Sequence, residues 1–204
     1  MIADQLLKKY PIISDQVDAR ELRVLLVELE TWLQRGGAGN VVELGCYVGT
    51  TSLFIRRLLD HYKFTGEFHV YDSFEGLPPK SEQDQSVAGD QFVEGELFAA
   101  RKTIIENFKK AHLTLPAIHK GWFSNLTLAD VPNPVGFAFF DGDYFDSIND
   151  SFRVAGPKFT DDAVVIVDDY ANEALPGAAR ATDNWLHAHP GKSLRVQSSL
   201  AIIR

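Results

Sequence analysis

Apolar residues recur at helical spacing over residues 18–34, where Leu22, Leu25, Leu26, Leu29 and Leu33 share one face before Gly36 and Gly37 supply a stop. The period then changes. Residues 40–44 are a short apolar run of the kind a fully buried strand produces, and residues 50–62, opened by Thr50, Thr51 and Ser52, read as a helix. The same alternation continues along the chain. Strands are predicted at 67–71, 117–120, 135–140 and 163–167, and helices at 96–111, 146–155 and 176–187. Residues 194–196 and 200–203 are close enough in sequence to form a terminal antiparallel pair. Strands alternating with helices predict an α/β fold: a doubly wound, Rossmann-like, mostly parallel seven-stranded sheet with an antiparallel C-terminal strand.

Residues 1–204 read as a single domain, with an N-terminal helical segment over 1–38. Residues 73–95 form a long polar connection rich in Pro, Gly, Asp and Gln. A connection of that length predicts a lid or substrate-binding loop.

Polar residues placed where apolar runs end carry the chemistry. Glu43-Leu44-Gly45-Cys46-Tyr47-Val48-Gly49 joins the first strand to its helix. Gly45 and Gly49 permit a tight turn and close approach of a ligand, and the helix start directs free amides into the same space. The spacing is E-x-G-x-x-x-G rather than G-x-G-x-x-G, which favours a smaller, uncharged or zwitterionic ligand over a pyrophosphate. Asp72, ending the second strand, is placed either to accept hydrogen bonds from a ribose diol or to cap its own turn. Gly121-Trp122-Phe123 follows the third strand. Trp122 suits either an adenine face or the core; Phe123 suits the core. Tyr47, Ser73 and Gly121, beside these positions, complete the candidate cofactor-binding set with Asp141.

Asp141 ends the run before F-D-G-D-Y, and Asp168 with Asp169 ends V-V-I-V-D-D-Y. Carboxylates gathered at neighbouring strand tips repel one another unless a cation compensates them, and a hard divalent ion such as Mg2+ is the natural partner for oxygen ligands. Asp143 and Asp146 are also suited to the turn and the next helix N-terminus. Cys46 reads as a small packed residue and not a nucleophile.

Composition narrows the partners. Net charge is −8 with 24% charged residues, which argues against a nucleic-acid surface. The single cysteine excludes an internal disulfide and fits a reducing cytosol, and no apolar run approaches membrane-spanning length. The expectation is a cytoplasmic protein with no membrane partner, whose first helix is free to pair with a second copy in a homo-oligomer.

Taken together, E-L-G-C-Y-V-G-T-T, Y-D-S-F-E-G-L-P, K-G-W-F-S-N, F-D-G-D-Y-F-D-S and V-D-D-Y resemble the macrocin (mycinamicin) O-methyltransferases over about residues 40–177. The resemblance implies a metal-dependent class I enzyme that uses S-adenosylmethionine and Mg2+ to methylate a hydroxyl of a small molecule, such as a natural-product sugar or another vicinal diol. It implies Glu43, Gly45 and Gly49 at the methionine end of the cofactor, Asp72 at its ribose and Trp122 near adenine, with Asp141, Asp168 and Asp169 as metal ligands. Two departures stand out. The region before the first strand is short, implying a reduced substrate cover, and Tyr144 stands where related catechol-type enzymes carry a lysine base. Asp141 and Asp143 are the candidate catalytic residues, with Asp143 the better proton acceptor because Asp141 is committed to the metal. A metal-dependent glycosyltransferase with a D-x-D site and a non-catalytic cofactor-binding scaffold are the alternative readings.

Overall fold

A computed structural model describes residues 1–89 and 91–204; Asp90, within the 73–95 connection, lies outside the described residues. Seven strands form one sheet: β1 (Asn40–Leu44), β2 (Phe68–Asp72), β3 (Ala117–Lys120), β4 (Val135–Phe140), β5 (Phe159–Val167), β6 (Leu194–Gln197) and β7 (Leu200–Ile203). Their order is β3-β2-β1-β4-β5-β7-β6. β1 to β5 are mutually parallel, and β7 runs antiparallel to both β5 and β6. The antiparallel C-terminal strand is as expected, but it is inserted between β5 and β6 and so leaves β6 as the edge.

Strand alternation divides the core between the two faces. Val41, Val70, Phe137, Phe139, Val164 and Ile166 pack in one cluster with α1 (Ile2–Lys9), α2 (Ala19–Gln34), α3 (Thr50–His61) and α4 (Arg101–Lys110). Val42, Leu44, Ala138, Phe140, Val165 and Val167 pack on the other face with α5 (Phe145–Ala155) and α6 (Pro176–Ala188). Each fully buried Leu, Ile, Val or Phe contributes about 1.5–3 kcal/mol against exposure. α2 begins where Asp18 accepts hydrogen bonds from the amides of Arg20 and Glu21, 2.7 and 3.3 Å away.

Three boundaries differ from the sequence pattern. The 1–38 helical segment is divided into α1 and α2, with residues 10–18 outside either helix. α4 starts at Arg101 rather than near residue 96, because Glu96 is drawn into the neck of the 73–95 connection: its carbonyl accepts from Leu77 at 2.8 Å and Leu97 has positive φ. β5 extends back to Phe159 through the exposed Asp161 and Asp162, polar residues that hide its first half.

The chain reverses direction across the sheet at β1, whose neighbours are β2 and β4, so a crevice opens beyond the carboxyl ends of these strands. Leu44, Phe140 and Val167 stand side by side in register. The residues that follow are therefore brought into a row, with the Asp141 amide donating to the Leu44 carbonyl and the Asp168 amide to that of Phe140, both at 2.8 Å.

Candidate active site

The crevice is a cleft of 1070 Å³ including its open mouth. Gly45 lines it, whereas Gly49 of the same turn does not, and both have positive φ (94° and 84°). A Cβ on Gly45 would lie 1.8 Å from the carbonyl oxygen of Asp141, so only glycine lets β1 and β4 come together here. Gly49 caps α3 without a side-chain acceptor for the helix amides. Cys46, Tyr47, Thr50 and Thr51 complete this wall. Burial pushes the Cys46 thiol up, with Asp72 and Glu43 adding to the shift, which suits a packed residue.

Asp72 is committed to this turn. One carboxylate oxygen accepts from the amides of Cys46 (2.9 Å) and Tyr47 (3.0 Å), and the other from Phe74 (2.7 Å). The carboxylate thus shapes the turn while still lining the cleft. Of the two sequence readings of Asp72, the turn cap is the contact present in the structure.

Glu43 lies beneath the turn and does not line the cleft. It is fully buried, accepts the Ser52 hydroxyl at 2.5 Å, and is pushed up to about 8 by burial, with Asp72 raising it further and Ser52 opposing. Ser73 reaches the cleft, although its hydroxyl is bonded to the Gly76 carbonyl at 3.0 Å. Trp122 and Phe123 line the opposite wall, whereas Gly121 does not.

At the centre, single carboxylate oxygens of Asp141, Asp168 and Asp169 lie within 4.8 Å of one another, all three half-buried. Asp143 stands beside them. Burial drives all four carboxyls above their ordinary range, and their mutual repulsion raises Asp141, Asp143 and Asp168 further. Asp143 and Asp169 both have positive φ (59° and 56°), a strained backbone that aims side chains into the cleft. Asn172 fixes Asp169 by donating to its Oδ1 at 2.9 Å. Hard oxygen donors that repel one another at this spacing fit a divalent cation.

Several lining residues were not singled out individually in the sequence. Ser14, Gln16, Val17 and Glu21 line the cleft, so the short N-terminal region supplies part of its wall. Gln91, Phe92 and Leu97 of the 73–95 connection and its neck line it from above. That connection is strapped down by Asp84, only 2% exposed, which accepts from the Phe145 amide at 2.7 Å, and by Ser86, which donates to the Glu173 carbonyl at 2.5 Å. An acid three residues after Ser81 was the one available signal, since the pair forms a capping box.

The family described as macrocin O-methyltransferase (TylF) matches residues 12–193. The chain belongs to this family. Among its relatives, the 8-demethyl-8-(2,3-dimethoxy-alpha-L-rhamnosyl)-tetracenomycin-C 4'-O-methyltransferase of Streptomyces olivaceus is 30% identical over 74% of this chain and 60% of its own length. The mycinamicin III 3''-O-methyltransferase of Micromonospora griseorubida is 25% identical over 88% of this chain and 73% of its own. The match therefore spans less than two thirds of the first relative. The O-methyltransferase NovP has the same fold, with a TM-score of 0.78 at 21% identity over 91% of this chain and 79% of that one.

Proposed function

We propose that this macrocin O-methyltransferase family member transfers a methyl group from S-adenosylmethionine to one hydroxyl of a sugar with two neighbouring hydroxyls. The observation that carries the reading is the juxtaposition of the glycine turn with three acids whose oxygens lie within 4.8 Å. The turn, the α3 amides and Asp72 would hold the cofactor, with Trp122 against its adenine. Asp141, Asp168 and Asp169 would hold Mg2+, which supplies positive charge that orients the acceptor diol and lowers its pKa.

The remaining work falls to the chain. The walls align the acceptor oxygen with the sulfonium methyl, the main requirement of this displacement. As the new C–O bond forms, the methyl–sulfur bond breaks, its electron pair stays on sulfur, and the hydroxyl proton passes to a carboxylate. Asp143, beside the metal ligands and outside their set, is the proposed acceptor of that proton. The glycosyltransferase alternative draws no support from the E-x-G-x-x-x-G turn.

Calorimetry with S-adenosylhomocysteine, followed by turnover of a rhamnoside before and after EDTA, tests the reading. Binding of S-adenosylhomocysteine, metal-dependent turnover and loss of turnover in Asp143→Asn are expected. No binding of S-adenosylhomocysteine sinks the cofactor assignment, and full activity after EDTA makes the three acids structural.

A further inference from the structure

Asn172 does not line the cleft, yet it joins two residues that do. One hydrogen of its side-chain amide goes to Asp169 Oδ1 at 2.9 Å and the other to Gln91 Oε1 at 3.3 Å. The side-chain oxygen accepts from the Ala174 amide at 3.0 Å, which fixes which end of the group is oxygen. Every polar atom of the side chain is therefore used. The backbone amide of Asn172 also donates to the Asp169 carbonyl at 3.0 Å. One residue thus grips Asp169 at both backbone and carboxylate, and a left-handed φ of 56° persists only where neighbours hold it.

The turn of residues 169–175 carries the roof as well as the acid. Ser86 donates to the Glu173 carbonyl at 2.5 Å, and Phe92 packs in one cluster with Leu77, Tyr144 and Leu175. The two bonds of the Asn172 amide are unequal: the one to the Asp169 carboxylate is charge-assisted and the one to Gln91 is neutral. Because the two hydrogens lie in one plane at a fixed angle, the direction taken towards Asp169 sets the direction offered to Gln91. Without a cation, repulsion from Asp141 and Asp168 works against a fixed Asp169 carboxylate. With one, the carboxylate is held and the plane of the Asn172 amide is held with it.

We propose that Asn172 is a positioning residue that couples occupancy of the cation site to the seating of the 73–95 connection over the cleft. This rests on the reading of Asp141, Asp168 and Asp169 as cation ligands and adds a consequence to it. Coupling of this kind is reciprocal: if the cation helps to seat Gln91, a seated Gln91 tightens the hold on the cation. The roof then settles on a loaded site in preference to an empty one.

The test measures Mg2+ affinity by calorimetry and, by NMR, amide hydrogen exchange at Gln91 and Phe92 with and without Mg2+. In the wild type, Mg2+ should slow exchange at both amides by at least about fivefold. Gln91→Ala, a change in the connection and not in the acids, should weaken Mg2+ binding by the same factor of about five and abolish the response of the Phe92 amide. Gln91→Glu keeps an acceptor for Asn172 and should retain that response. Asn172→Ala should lose both effects, and adding Gln91→Ala to it should cost no further Mg2+ affinity. Losses that add in full overturn the role of Asn172. Exchange indifferent to Mg2+ in the wild type, or a Gln91→Ala protein that binds Mg2+ as tightly as the wild type, overturns the coupling and leaves the cation site standing. A wild type that binds no Mg2+ removes the cation reading and the coupling with it.

Discussion

Two sets of acids sit in the folded chain, and they are treated in opposite ways. On α2, Glu30 is 1% exposed yet fully served: its oxygens accept from the Ile2 amide and the Tyr62 hydroxyl, both at 2.9 Å, and from the Ala3 amide at 3.0 Å. Burial pushes its carboxyl up, but these donors prevail and hold it below the ordinary range. Its neighbour on the helix, Glu28, is paired with Arg195 and Arg204 from the C-terminal hairpin. At the strand tips, Asp141, Asp143, Asp168 and Asp169 share one cleft; burial raises all four, and mutual repulsion raises the first three further. Acids of the first kind hold the fold together. Acids of the second kind weaken it until something positive arrives, which is the mark of a binding site.

The largest contrast should appear when one acid of the second set is neutralised. Asp169→Asn removes one of the proposed metal ligands, and the loss of several kcal/mol of charge compensation corresponds to an expected fall in turnover of about a thousandfold. Stability should move the other way. In EDTA, the variant should melt no lower than the wild type, because a repulsive partner of Asp141 and Asp168 has gone. A melting temperature that drops in EDTA while turnover persists would place Asp169 with the structural acids.

Glu43 sharpens the comparison through pH. Its carboxyl is raised to about 8 inside the fold, so the folded chain holds a proton that the unfolded chain releases from its ordinary value of 4.5 upward. The neutral form stabilises at acid pH, and that advantage is lost as pH rises towards 8, at about 1.4 kcal/mol per unit. Glu43→Gln keeps an acceptor for the Ser52 hydroxyl and cannot ionise. Denaturant titrations between pH 5 and 8 should show a stability that falls with pH in the wild type and a flatter profile in the variant. Parallel profiles would mean that Glu43 is charged in the fold and compensated by a donor.

What the sequence disclosed follows the same division. Parallel strands buried on both faces appear as continuous apolar runs, so β1, β4 and most of β5 could be read directly, and Asp141, Asp168 and Asp169 stood out where those runs stop. Gly45 was legible as a glycine of the strand-to-helix turn, while the Asp141 carbonyl that would meet its Cβ at 1.8 Å was not. Residues whose role depends on distant partners were not. α1 is held by Glu30, 27 and 28 residues away from the amides it accepts, and nothing within the first ten residues announces that contact. Glu21 reads as an ordinary first-turn helix acid, yet its side chain lines the cleft and accepts the Ser199 hydroxyl from a turn 178 residues away. Asn172 is three residues beyond Asp169, a spacing with no meaning until the turn brings its amide to the carboxylate. Asp84 is the plainest case: one acid in a polar connection anchors that connection to α5 across 61 positions.

The smallest effect should come from the best-served acid. Glu30→Gln keeps one carbonyl acceptor but turns an NH2 group towards amides and a hydroxyl that previously found oxygen. At least one first-turn amide of α1 is then left without its partner, a cost of about 1–3 kcal/mol. Because the wild-type carboxyl is held below its ordinary 4.5, its contribution is present above that value and is lost as pH falls through the folded-state pKa. The difference between wild type and variant, measured by denaturant titration, should therefore be largest near neutrality and shrink in acid, opposite in sign to the profile of Glu43. Turnover per folded molecule should stay unchanged, since neither Glu30 nor α1 lines the cleft. A Glu30→Gln protein of full stability and impaired turnover would break the comparison, because it would move α2's best-partnered acid from the scaffold into the site.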